Sequence, residues 1–205
     1  MARSTYAGNV FINCPFDDAY GPVLDVLIFT VFDCGFVPRC AMEIDDSAQI
    51  RIDKIFSIIN ECKFSIHDIS RTELDPNTEL PRFNMPLELG MFLGARRFGG
   101  SRHKDKSCLI MDKDRYRYQS FISDISGQDI KAHNDDPERA VRLVRDWLNS
   151  SSGRKTIPGG KKIWGRYNEY QANLPAMCDK TGLTVDEMTF NDKANFASEW
   201  LKLHG

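Results

Sequence analysis

An acidic residue, Glu88, lies among apolar residues in the stretch RFNMPLELGMFLGARRFG, which spans residues 82–99. Leu87 and Leu89 flank it, and helical spacing would bring Phe92 beside it. A carboxylate in such surroundings must be paired, protonated or used in chemistry, because burying an unpaired charge is costly. Two interpretations are open, a structural ion pair with a nearby arginine and a functional carboxylate. The arginines close to it in sequence are Arg82, Arg96 and Arg97.

Two further polar residues could share a site with Glu88. Asp68 ends the apolar segment KFSIHDIS, where it is either a turn-forming aspartate or a group that binds substrate. Asn84 precedes Glu88 by four residues, so it either caps the helix that contains Glu88 or holds a ligand hydroxyl. Gly90 and Gly94 would let that helix approach a neighbour or a ligand closely.

Segments typical of strands and helices alternate five times before residue 150. The predicted strands cover residues 9–16, 36–42, 63–70, 107–112 and 129–133. The predicted helices cover 22–34, 48–62, a segment that begins at Pro86, 115–125 and 137–149. Such alternation predicts an α/β domain with a flavodoxin-like, doubly wound sheet of about five mainly parallel strands.

Open sheets of this kind bind ligands beyond the carboxyl ends of their strands. That rule selects the loops NCPFDD, EIDDS and DISRTE, which follow the first three predicted strands. Together with the segment before Glu88, they supply the candidate binding residues. These are Asn13, Pro15, Phe16, Asp45, Asp68, Ser70, Arg82 and Asn84.

The C-terminal part of the chain has a different composition. Residues 151–162 are rich in serine, glycine and lysine and are predicted to be a linker between the α/β domain, 1–150, and a helical appendage, 163–205. Helices are predicted at 163–178 and 186–203, the second after a T-x-x-E capping box. Their aromatic residues need a surface to pack against. We expect that surface to be the α/β domain, with some contribution to a homodimer.

Composition excludes several classes of protein. The formal net charge is −2, which argues against general electrostatic attraction to nucleic acid or to anionic membranes. No apolar run approaches the roughly 20 residues of a membrane helix, and the first residues lack a signal-peptide pattern, so we expect a cytoplasmic protein. The six cysteines show no metal-ligand spacing. They are expected to be reduced and mostly buried, and no metal site is predicted.

Three short motifs resemble those of the TIR-like and nucleoside 2-deoxyribosyltransferase-like superfamily. They are N-x-P-F after the first strand, D-I-S at the end of the third, and R-x-N-x-x-x-E-L-G-x-x-x-G from Arg82 to Gly94. The resemblance covers about residues 8–150, and E-L-G is its most distinctive motif. The first turn has Asn13 and Cys14 where the transferases carry a small residue and a glycine. The C-terminal helices have no counterpart in it.

The resemblance implies an enzyme that acts at the ribose C1′ of a nucleoside or of NAD. Glu88 would be the catalytic carboxylate, Asp68 would bind base or ribose, and the turn at 13–16 would form the floor under the nucleotide. NAD would be the favoured substrate, as for an NAD glycohydrolase or cyclase, and no separate cofactor is implied. The resemblance also implies a role in bacterial antiviral defence. The departure in the first turn argues against true deoxyribosyl transfer.

The chemistry of N-glycosidic cleavage agrees with a single glutamate. The reaction passes through an oxocarbenium-like transition state, which a carboxylate can stabilise or trap covalently. Nicotinamide bound to ribose is already cationic and leaves without protonation, so one carboxylate is enough. A second hypothesis is a catalytically silent nucleotide-binding or scaffolding module. Under either hypothesis we expect a homo-oligomer without a membrane or nucleic-acid partner.

Overall fold

The computed structural model describes residues 5–74 and 79–205 of the chain. The segment 71–82, which is rich in polar and turn-forming residues, therefore lies partly outside the described residues. The described part contains one sheet of five strands and six α-helices. The strands are β1 (Asn9–Asn13), β2 (Val37–Arg39), β3 (Phe64–Asp68), β4 (Ser107–Asp112) and β5 (Lys131–Ala132). The helices are α1 (Gly21–Asp33), α2 (Arg51–Glu61), α3 (Asn84–Phe98), α4 (Pro137–Ser152), α5 (Gly160–Thr181) and α6 (Phe190–His204).

All strand pairs are parallel, and the strand order is β2-β1-β3-β4-β5. This is the flavodoxin-like, doubly wound arrangement, so the predicted fold class is confirmed. The chain runs from β1 outward to β2, crosses back past β1 to β3, and continues to β4 and β5. The direction changes between β1 and β3. The crevice beyond the carboxyl ends of these two strands is therefore where such a sheet binds ligands.

Alternate side chains of β1 enter two separate cores. Val10 and Ile12 of β1 pack in a core with residues of α1 and α4, whereas Phe11 packs with residues of α2 and α3. The sheet is therefore covered on both faces, and its central strands β1 and β3 are buried along their whole length. Pro38 lies in β2 at the edge of the sheet, where a missing backbone donor is tolerated.

The C-terminal helices α5 and α6 pack on the outer surface of α1. The Phe29 ring of α1 is fully buried, with its centroid 5.2 Å from that of Tyr170 and 5.9 Å from that of Trp200. Lys193 Nζ lies 2.7 Å from Asp25 Oδ1, which connects α6 to α1 by an ion pair. This confirms that the appendage packs on the α/β domain. It also explains why α1 is hydrophobic on nearly all sides.

Helix α3 begins two residues earlier than predicted. The first helical residue is Asn84, and Pro86 is the third. Proline is tolerated there because the first N–H groups of a helix have no intrahelical partner. Glu88 is therefore the fifth residue of α3, about one turn from its N-terminus.

The prediction of an α-helix at 115–125 was wrong. The segment forms two short 3₁₀ helices, Arg117–Ser120 and Ser123–Ile125, after Tyr116 in the left-handed region at φ 62°. Tertiary contacts hold it in this form. The Arg117 guanidinium donates to Ile69 O at 2.9 Å, and Tyr118 is buried. Such contacts override helix propensity.

The segment between the two predicted units is shorter than the predicted linker. Helix α4 continues through Ser152 and α5 begins at Gly160, while Ile157 between them is buried against the main core. The T-x-x-E capping box is present, but it caps a 3₁₀ turn, Val185–Glu187. Helix α6 begins after a second capping box, in which the Thr189 side chain accepts from the backbone N–H of Asp192.

Candidate functional site

A cavity of about 420 Å³ lies at the point where the strand order reverses, beyond the carboxyl ends of β1 and β3. Its volume is in the range of small-molecule sites. The turn after β1, the loop after β3 and the first turns of α2 and α3 form its walls. The described lining residues are Asn13, Cys14, Pro15, Phe16, Asp17, Arg51, Arg71, Glu73, Leu74, Arg82, Asn84, Met85 and Glu88.

Glu88 is the buried carboxylic acid of this cavity, with only 7% of its surface exposed. Within residues 5–74 and 79–205 its carboxylate has no hydrogen bond and no ion pair, so the predicted alternative of a pair with Arg82, Arg96 or Arg97 is not observed there. Burial raises the pKa of Glu88 to about 7, and the positive charge of Arg51 acts in the opposite direction. The group can therefore change its ionisation near neutral pH.

Asn13 holds the end of β1 against the start of α3. Its Nδ2 lies 2.9 Å from Met85 O and 2.9 Å from His67 Nδ1. Burial and the charge of Lys106 lower the pKa of His67 to about 3, so the ring is neutral and its Nδ1 can accept a hydrogen bond from Asn13. Asn13 thus positions the helix turn that precedes Glu88.

Three arginines line the cavity. Arg71 Nε lies 3.5 Å from Asp17 Oδ2. Arg51 and Arg82 are exposed and have no ion pair within the described part of the chain. Exposed guanidinium groups without an ion pair are suited to bind phosphate or carboxylate oxygens.

The walls contribute an aromatic ring and a thiol. Phe16 is 39% exposed beside the cavity, so its ring is available to a planar group. Cys14 is fully buried, and burial, with smaller contributions from Cys40, Asp68 and Glu88, raises its pKa well above its ordinary value. A protonated thiol is a poor nucleophile. Glu88 is therefore the better candidate for covalent or electrostatic catalysis.

Asp68 lies at the end of β3, as predicted, but it does not line the cavity. It is fully buried, and its Oδ2 accepts from Tyr20 Oη at 2.7 Å and lies 3.0 Å from His133 Nε2. Its Oδ1 accepts from the backbone N–H of Ser70 at 2.9 Å. Burial raises the pKa of Asp68, but these partners outweigh burial and the net pKa is lowered. This network joins β3 to the residue after β5.

The structure brings six of the nine predicted site residues to one cavity. They are Asn13, Pro15, Phe16, Arg82, Asn84 and Glu88. The described lining does not include Asp45, Asp68 or Ser70. Asp45 is exposed on the loop before α2, and Ser70 is buried behind Asp68.

Sequence reasoning missed Arg51 and Arg71 as cavity residues. Arg71 directly follows the D-I-S motif, and Arg51 opens the helix after the loop that contains Asp45. Both belong to segments at the carboxyl edge of the sheet. The rule that selected the three loops could have found Arg71, which lies in the selected loop DISRTE, but not Arg51, which falls in the helix predicted at 48–62.

The cysteines are free thiols, five of them buried and Cys108 half-buried, which confirms their predicted state. Within the described residues, no group of three or more histidine, cysteine or acidic side chains is arranged to hold a metal ion. The described helices include none with the length and apolarity needed to cross a membrane.

Comparisons with family models, with curated proteins and with solved structures gave no match to this chain.

Proposed function

We propose that this protein cleaves or transfers the N-glycosidic bond of a nucleotide, with NAD as the favoured substrate. One observation carries the proposal. Glu88 is a buried carboxylic acid with no partner in the described part of the chain, it lines the cavity at the sheet's switch point, and its pKa is about 7. Perturbed ionisable groups in such clefts are typical of active sites.

The chemistry assigned to Glu88 is stabilisation of a developing positive charge. As the bond from C1′ to the base breaks, its electron pair leaves with the base and the ribose becomes an oxocarbenium-like cation. An ionised carboxylate beside C1′ lowers the energy of that cation or forms a bond to it. Water or another acceptor then takes the ribosyl group.

The other groups of the cavity fit a nucleotide. Arg51 and Arg82 offer guanidinium groups for phosphate oxygens, and Phe16 offers a ring on which a base can stack. Asn84, which is exposed at the start of α3, is available to a ribose hydroxyl. A homo-oligomer and a role in bacterial antiviral defence belong to the same proposal through the resemblance of the sequence motifs.

The test is release of free base. The wild type is incubated with NAD and, separately, with nucleosides, and the products are separated by chromatography. We expect base release by the wild type and loss of at least about 100-fold in the Glu88→Gln variant, because that change removes the charge and keeps the volume. Glu199→Gln, on the exposed side of α6, is the matched control and should retain full activity. A wild type that binds these substrates without releasing base would support the silent nucleotide-binding module instead.

A further inference from the structure

A second cavity, of about 540 Å³, lies along the outer edge of β4. The last strand, β5, pairs only with Met111 and Asp112. Within residues 5–74 and 79–205, the first four residues of β4 therefore have no strand on that side. The cavity occupies the space that a longer fifth strand would fill, between α3 and α4. Its lining includes Arg96, Cys108, Ile110, Leu143 and Trp147. Two acidic residues also line it, and each has a cationic partner: Asp129 lies 2.6 Å from Lys131 and Asp146 lies 3.0 Å from Arg145.

The pairing of β4 shows which backbone groups face this cavity. The N–H of Ser107 donates to Lys63 O at 3.1 Å, and Met111 O accepts from the N–H of Ile69 at 2.9 Å. The odd-numbered residues of β4 thus bond to β3, so the even-numbered residues direct their backbone groups to the other side. Three of these backbone groups lie before the two-residue pairing with β5. They are the N–H and the carbonyl of Cys108 and the N–H of Ile110. An unpaired run of this kind is a template for an added strand.

The two walls of the cavity differ in chemistry. On the α4 side, Trp147 is fixed by a 3.2 Å hydrogen bond from its Nε1 to Ser107 Oγ, and Leu143 packs beside it against the main core. On the α3 side, Arg96 is exposed and has no ion pair among residues 5–74 and 79–205. Burial raises the pKa of Cys108 to about 11 while the charge of Arg96 acts in the opposite direction, in keeping with their position on one cavity wall.

We propose that the open edge of β4 binds an extended segment of a partner protein, which adds a strand beside Cys108 and Ile110. Successive side chains of a strand point to opposite faces. An apolar side chain of the segment contacts Trp147 and Leu143, and the next side chain, an acidic one, reaches Arg96. The segment therefore alternates apolar and acidic residues. This interaction is separate from the cavity of Glu88 and does not depend on its chemistry.

Two blocked hexapeptides test the proposal, one alternating valine with aspartate and one alternating valine with lysine. NMR measures hydrogen exchange of the Cys108 and Ile110 amides, and a titration measures affinity. We expect the aspartate peptide to slow both amides and to bind at least about fivefold more tightly than the lysine peptide. Arg96→Glu should reverse this preference. Arg97→Glu, a neighbouring exposed arginine outside the cavity lining, should preserve it.

Three outcomes would overturn the proposal. In the first, neither peptide slows hydrogen exchange of the two amides. In the second, both peptides slow it equally and bind with the same affinity, and the Arg96→Glu variant does not change this. In the third, the amides are already protected without peptide and sedimentation shows a dimer, so that a second copy of the chain occupies the edge. As a control, sedimentation of both variants and of the wild type checks that each is folded and has the same assembly state.

Discussion

Glu88 and Asp68 are acidic residues near the same edge of the sheet, but their surroundings shift their pKa values in opposite directions. Glu88 lacks a partner in the described part of the chain, so burial dominates and its pKa rises. Asp68 is also buried, yet its hydrogen bonds and the nearby His133 lower its pKa overall. The first arrangement favours chemistry near neutral pH, and the second favours stability.

The Glu88→Gln variant should be more stable than the wild type at high pH. The pKa of Glu88 is raised from 4.5 to about 7 on folding. The stability that follows from this shift is fully present below the unfolded pKa and is lost as pH rises through 7. The difference should therefore be small near about pH 5 and reach about 3 kcal/mol near about pH 9. Urea unfolding at both pH values measures it, with Glu199→Gln as the control. Equal stability of wild type and variant at high pH would mean that Glu88 ionises freely.

The Asp68→Asn variant should lose stability, by about 3 kcal/mol or more, because it leaves buried partners without their charged acceptor. Since the folded pKa of Asp68 is lowered, its contribution is present above the unfolded pKa, 3.8, and is lost as pH falls through the folded value. Thermal unfolding at neutral pH is the measurement. Tyr20→Phe, which removes one hydrogen bond of the network, should cost less. A variant as stable as the wild type but impaired in substrate use would restore the predicted binding role of Asp68.

At the level of elements, the sequence patterns placed the five strands and most helices because hydrophobic periodicity reflects burial in the sheet and on helix faces. The exact start of α3 and the 3₁₀ segment after β4 could not be predicted in this way. Both depend on contacts with residues distant in sequence, such as Arg117 with Ile69. The direction of the Asp68 side chain could not be predicted for the same reason. Its partners Tyr20 and His133 come from other segments.

The link between β1 and α3 should be sensitive to Asn13. Asn13→Ala removes both hydrogen bonds of its side chain and should destabilise the protein by about 1–3 kcal/mol, since Met85 O and His67 Nδ1 are buried. It should also reduce base release by displacing the turn before Glu88. Asn84→Ala, at an exposed position, should weaken substrate use with little loss of stability. Chemical denaturation and activity of both variants are compared. Equal losses of stability in the two variants would show that the hydrogen bonds of Asn13 stabilise the protein no more than the exposed Asn84 side chain does.

On the scale of the whole molecule, α5 and α6 form an additional layer over α1. Their contacts with Phe29 and other residues of α1 make the appendage part of the main core. In the sequence, the aromatic residues of the C-terminal helices indicated that these helices pack against another surface. Periodicity could not show which helix supplies it, because α1 is apolar on nearly all sides.

Removal of this layer should expose the outer face of α1. A chain that ends at Ser152 should aggregate or melt at a much lower temperature than the full chain, because each large buried side chain contributes about 1.5–3 kcal/mol. Calorimetry and light scattering are the measurements. Leu203→Ala serves as a control in the full chain, because Leu203 is 81% exposed. A shortened chain that stays soluble and equally stable would show that the α/β domain does not need the tail.

The most direct test of the central claim is the pH dependence of base release from NAD at low substrate concentration. The rate under these conditions reports the ionisation of the free protein. Because the carboxylate is the active form, the rate should rise with pH and reach half its maximum near pH 7, the pKa of Glu88. The Glu88→Gln variant should show no such rise. A rate that is flat from about pH 5 to pH 9, or a rise that persists in the variant, would contradict the assignment of Glu88 as the catalytic carboxylate.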